Sequence, residues 1–151
     1  MFGKGEARME QHVAAKGTRV DIGLLVLRLG IGASMIIFHG YGKLAGGPER
    51  WEKLGSNMEM LGISFLPVFW GFMAAFAECF GSLFIMLGIW FRAGAGLLAI
   101  TMVVAVLRHL SLPPDAENAG WEGASHALEF LVVYVALLLS GPGRYRLPAR
   151  S

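Results

Sequence analysis

The chain has 151 residues, 55% of them hydrophobic, with a net charge of +2 and a mean hydropathy of +0.56. A soluble domain is usually about 45–50% apolar even with glycine counted. Here the excess lies in long runs, so the composition excludes an ordinary soluble domain in favour of a membrane protein. The small net charge without a long basic run excludes nucleic-acid binding, and the single cysteine, Cys79, excludes both an intramolecular disulfide and C-x-x-C redox chemistry.

Met1–Arg19 is polar and mixed in charge, and reads as a cytoplasmic tail, disordered or weakly helical, with a membrane-surface helix as the alternative. Four apolar stretches follow, at about 20–39, 66–88, 93–110 and 124–140. Each is near the roughly 20 residues that a helix needs to cross about 30 Å of hydrocarbon. The first is followed by Phe38-His39-Gly40-Tyr41-Gly42-Lys43 rather than by an A-x-A-like site, so it reads as an uncleaved span. Gly40-Tyr41-Gly42 is not a potassium filter, because Phe38-His39 stands where Thr-Val would be needed.

After the turn Gly46-Gly47-Pro48, the residues Trp51, Leu54, Met58 and Leu61 fall at spacings of three and four. They predict a short amphipathic helix lying on the membrane between spans one and two, with Trp51 at the interface. Pro67 enters span two, where a missing N–H does no harm. Phe69, Phe72, Phe76, Phe80 and Phe84 make a stripe along it, for lipid contact, packing or the wall of a flat apolar ligand. The link Ile89-Trp90-Phe91-Arg92 forces an antiparallel hairpin into span three. The loop from Ser111 to Gly123 is acidic, and Gly141-Pro142-Gly143 stops the last helix ahead of a basic tail. The predicted fold is all-α: a four-helix transmembrane bundle, with residues 20–148 as one four-span membrane domain after the polar tail. Lys and Arg number eight on the side of the termini and four on the other, which predicts both termini cytoplasmic.

Three spans carry an ionisable residue near the middle: Arg28, Glu78 and Glu129. A charge there costs several kcal/mol, so such residues pair or serve an ion, proton or ligand. At about 1.5 Å per residue, counted from the predicted span ends, the three reach similar depths of roughly 12–17 Å. Arg28 is then the expected partner of Glu78, Glu129 or both through its planar fork of donors. One arginine with two glutamates leaves a proton to be held by a glutamate or by His126, three residues before Glu129. Near the outer face gather His39, Lys43, Arg108, His109 and His126. The expected site is therefore catalytic Arg28, Glu78 and Glu129, with His39, Lys43, His109 and His126 binding ligand along a cleft. The competing reading is structural: a salt bridge that sets helix register, with Lys43, Arg108 and His109 snorkelling to headgroups. No H-x-x-x-H or H-E-x-x-H pattern appears and no G-x-G-x-x-G or P-loop, so no metal, haem or nucleotide motif is present.

The pattern resembles the DoxX family of small four-helix membrane proteins. The resemblance rests on Arg28 with Gly30 and Gly32, Phe38-His39-Gly40-Tyr41-Gly42-Lys43-Leu44, Ala77-Glu78-Cys79-Phe80-Gly81-Ser82, Leu87-Gly88 before Arg92, His109, Glu129 and Gly141-Pro142-Gly143-Arg144-Tyr145-Arg146-Leu147. It covers about Gly23–Pro148. It implies an integral protein of the cell (inner) membrane linked to oxidoreductase systems, since some relatives are subunits of a thiosulfate:quinone oxidoreductase. The cofactor it implies is a quinone, and the partners are the lipid bilayer and a soluble oxidoreductase. The chain has no electron-carrying motif of its own, so the expectation is an oxidoreductase subunit that does not obviously act alone, and whether it is itself an enzyme stays open. The other expectations are a proton-coupled small-solute transporter, which as four spans would need to form a homo-oligomer, and a non-catalytic scaffold.

Overall fold

The computed structural model describes residues 4–148, with side chains described from Gly17 onward. Every regular element among them is helical: α1 (Lys4–Met35), α2 (Tyr41–Ala45), α3 (Gly47–Gly55), α4 (Pro67–Phe76), α5 (Ser82–Leu87), α6 (Phe91–Leu110) and α7 (Gly120–Ser140). A π-helical turn, Ile36–Gly40, joins α1 to α2, and a second, Ala77–Gly81, joins α4 to α5. The four helices long and apolar enough to cross a membrane run Gly17–Ala45, Pro67–Leu87, Phe91–Leu110 and Gly120–Ser140. This is the expected four-span arrangement, with span one longer at both ends. The tail expected at Met1–Arg19 is helical from Lys4 and continuous with span one; Met1–Gly3 lie outside the described residues.

Span one packs on span two, span two on span three, and span three on span four. Ala124, Ala127, Phe130, Tyr134 and Leu137 recur at three and four along α7 and bury one stripe against α6. Met35, Ile85, Leu98 and Met102 complete the core. Spans one and four approach each other through side chains, His39 meeting His126 and Phe130, rather than through close backbone packing.

The segment between spans one and two is α3 followed by a 3-10 turn, Ser56–Leu61. Its apolar face is turned onto α4 rather than into lipid. A Cβ at Gly71 would strike the backbone of Trp51, and one at Gly55 the backbone of Pro67, so the helices touch where both lack side chains. The Trp51 ring packs edge-on against Phe72 at 5.0 Å, and its Nε1–H donates to the carbonyl of Lys43 at 2.9 Å. Trp51 thus ties α3 to the end of span one.

Spans two and three turn on Gly88 and Trp90, both left-handed, at φ +72° and +44°. After α7, Gly141 (φ +77°) reverses the chain and residues 142–148 fold back over the end of the bundle that holds the termini. There the Arg144 N–H donates to Asp21 Oδ1 at 2.9 Å, and the Leu147 N–H donates to the Leu87 carbonyl at 3.0 Å.

Gly71→Ala is expected to destabilise the protein by about 1–3 kcal/mol, the range for overpacking a close contact. Gly23→Ala, where nothing lies within 4 Å, should stay within about 0.5 kcal/mol. Denaturant unfolding of both variants in the same detergent measures the difference.

Candidate functional site

The two π-helical turns face each other, and each carries a polar side chain of the site: His39 in span one, Glu78 in span two. A π turn inserts an extra residue into the helical ladder and shifts the direction of the side chains around it. Gly40 lies directly on the second turn. A Cβ there would fall 2.8 Å from Cys79 Sγ and 3.0 Å from the Glu78 backbone carbon. This close approach brings the end of span one over Glu78. Lys43 Nζ donates to Glu78 Oε1 at 2.6 Å, with Glu78 only 2% exposed and Lys43 24%. Glu78 Oε2 is buried and has no hydrogen-bond partner among the described residues.

Three histidines surround this pair. His39 Nε2 and His126 Nε2 are 3.3 Å apart, so one ring donates a proton that the other accepts. Both rings meet the edge or face of Phe130, His39 at 5.8 Å and His126 at 4.8 Å. His109 Nδ1 lies 2.7 Å from the Asn118 carbonyl, which can only accept, so Nδ1 carries the hydrogen and Nε2 is left as the acceptor in the neutral ring. His39, Lys43, Glu78, His109 and His126 together line a cavity of about 170 Å³, closed by Met35, Met102 and Phe130.

A larger cavity of about 430 Å³ lies between α3, the 3-10 turn, span two and span three. Its walls are mostly apolar: Leu54, Met58, Phe69, Trp70, Met73, Leu97, Ile100 and Val104. Asn57, Thr101 and Arg108 add polar groups, and the Arg108 Nε–H donates to Asn57 Oδ1. Lys43, Glu78, Ala105 and His109 belong to both cavities. The ion pair therefore stands where an aromatic-walled pocket meets a histidine-lined one. Such a junction offers a bound ligand a hydrogen bond from an ammonium group and a carboxylate oxygen open to accept, beside rings able to exchange a proton.

Two residues expected here lie elsewhere. Arg28 is buried, at 2% exposure, but it sits under the far end of span two: a Cβ at Gly88 would lie 2.6 Å from both Arg28 Nη1 and the Arg146 Cβ. Residues 28 and 40 are twelve apart, about 18 Å along a helix, and Gly40 is the residue beside Glu78. The matching depths expected for Arg28 and Glu78 came from span ends, and the actual register is set by that glycine contact. Glu129 is exposed on the outer face of α7, opposite the stripe it buries, and makes no ion pair or hydrogen bond among the described residues. The expected triad of Arg28, Glu78 and Glu129 is replaced by a Lys43–Glu78 pair with three histidines.

Lys43 and Arg108, which the competing reading had snorkelling to headgroups, are tied to Glu78 and Asn57. The 430 Å³ cavity itself was missed. Its sequence signals were Leu54 and Met58 of the stripe expected on the membrane surface, and Phe69 of the phenylalanine stripe, for which a ligand wall was one reading. Cys79 is buried and reduced beside Gly40, as expected for a packed apolar residue.

Four membrane-length apolar helices around a buried ion pair define a multi-pass membrane protein of the small four-helix class. The DoxX family model matches residues 23–110, more than half of the sequence, and the chain belongs to the DoxX family. The match takes in spans one to three with Glu78, Lys43 and His109; span four, included in the resemblance above, lies beyond it. No curated protein and no solved structure matches the chain significantly.

Lys43→Met leaves Glu78 buried without its cation. The expected cost is up to about 3 kcal/mol, the low end for breaking a buried pair, because Lys43 keeps part of its surface exposed. Lys43→Met combined with Glu78→Leu should recover most of that loss, because no charge is then buried alone. Thermal unfolding of the two single variants and the double variant gives the coupling directly.

Proposed function

We propose that the protein is a quinone-linked membrane subunit of an oxidoreductase, and that the ring of the quinone occupies the 430 Å³ cavity against Lys43 and Glu78. The observation that carries this reading is the meeting of an apolar, aromatic-walled cavity with a buried ion pair and three histidines. A quinone is a flat apolar ring with two carbonyls whose reduction consumes protons. Pockets of roughly 300–1,000 Å³ with few convergent polar groups suit ligands of that size. Phe69 and Trp70 supply the flat walls, Lys43 a donor toward a carbonyl oxygen, and Glu78 with His109 and the His39–His126 pair a route for the proton.

The chain contributes positioning and proton transfer in this reading. Electrons come from a partner that carries a redox centre, a soluble oxidoreductase docked on the side of the termini, taken as cytoplasmic in a cell membrane. DoxX membership supports the association, as the family includes subunits of quinone-reducing enzymes.

Proton-coupled transport of a small solute is the second reading, and one observation favours it: the two cavities share the Lys43–Glu78 pair as a common wall. Opening and closing of that pair would then gate passage. Uptake by sealed vesicles containing only this protein separates it from the first reading.

The expected result for the quinone reading is displacement of a fluorescent quinone analogue by ubiquinone-1 or menadione from protein in lipid nanodiscs. Glu78→Gln, which keeps the shape of the side chain, should weaken binding roughly 10-fold, the loss of one charge-assisted hydrogen bond. Trp70→Ala should weaken it by a similar factor. Equal affinity in wild type and both variants, or no displacement by the wild type, overturns the assignment.

A further inference from the structure

α7 presents to the bilayer a second, outward pattern that the core does not use. Glu122, Ser125, Glu129, Val132, Ala136 and Leu139 are all exposed and follow one another at steps of three, four, three, four and three. That is a heptad seam, the spacing by which one helix packs knobs-into-holes along another. Val132 and Leu139 are 62% and 78% exposed, so the seam is open along its length. Ser125 and Ala136 are small, which lets a second helix come close. Glu129 stands at the middle of α7 and of the membrane span, with no partner among the described residues. An ionisable side chain at that depth faces a partner, a protein interior or water, and not lipid.

We infer that this face is the interface of a parallel homodimer in which α7 packs against α7 of a second copy, crossing at Glu129. A second copy is the occupant the geometry favours for two reasons. Every copy has the same orientation in the membrane, so a two-fold axis along the membrane normal sets Glu129 opposite Glu129 at identical depth, with no other donor required. Glu129 is followed along the seam by the apolar Val132, Ala136 and Leu139, and a polar residue within such a helix–helix seam is a recurrent device for setting register and copy number. In the dimer the two Glu129 side chains meet across the two-fold axis. None of the six seam positions lines either cavity, so the seam and the cavities are separate.

The test is cross-linking in lipid vesicles of the purified protein at low protein-to-lipid ratio, in a Cys79→Ser background. Cysteines are placed singly at Ala136 and Val132 on the seam, and at Val26 and Val103 as exposed positions on spans one and three. Disulfides need Cα atoms within about 7 Å. The inference expects the seam positions to cross-link to their own copies and the controls not to. Glu129→Gln should retain the dimer through an amide pair, while Glu129→Leu should lower association roughly fivefold or more. Ala136→Phe, whose side chain points outward and leaves the core intact, should abolish it. A monomer at every protein-to-lipid ratio, cross-linking that is equal on all faces, or a dimer indifferent to Glu129→Leu would each overturn the inference.

Discussion

A carboxylate buried in an apolar bundle obliges the chain to bring a cation to it, and the interior of this protein is arranged around meeting that demand for Glu78. The cation is Lys43, which belongs to the end of a neighbouring span and reaches Glu78 because Gly40 has no side chain to hold the helices apart. Both helices loosen into π turns at this crossing. The Trp51 indole then takes the carbonyl of Lys43, and Trp51 in turn sits where α3 is pressed onto α4 at Gly55 and Gly71. A single electrostatic requirement thus runs outward through a backbone contact, a tryptophan and a pair of glycines to the position of an entire connecting segment.

The same arrangement makes the cavities. Docking α3 and the 3-10 turn against span two roofs the space between spans two and three with Leu54, Asn57 and Met58, and the ion pair closes its inner end. Spans one and four, joined mainly by the His39–His126–Phe130 contacts, leave the smaller cavity behind them. An apolar pocket and a titratable one are therefore neighbours because each is a by-product of packing elements at different distances from one charge pair.

The four spans were legible because length and hydropathy are local properties of sequence, and their ends fall within six residues of the expected positions, the largest difference being at the end of span one. The group His39, Lys43, Glu78, His109 and His126 was legible as a set of polar residues that apolar helices have little reason to carry. Their pairing was not. Register between helices depends on which residues let backbones touch, and Gly40 carries no mark that separates it from Gly23 or Gly30, where an added Cβ would meet nothing within 4 Å. The expected partnership of Arg28 with Glu78 failed on that register alone. Glu129 was placed inside by its depth, whereas its direction follows from helical phase: it lies opposite Ala127, Phe130 and Tyr134, which the bundle buries. The stripe on α3 was correct as a face and wrong as to what it faces, because amphipathicity does not distinguish a lipid surface from the flank of another helix.

The returning segment after α7 has a consequence for how the molecule is made. Its Leu147 amide closes on Leu87 at the end of span two, and its Arg144 amide on Asp21 near the start of span one. A growing chain delivers these residues after all four spans. Until they emerge, spans one and two lack the strap across that end, and buried Arg28 lacks the cover that Arg146 provides beside Gly88. Arrival of this segment, rather than insertion of the fourth span, is the event that closes that end of the bundle.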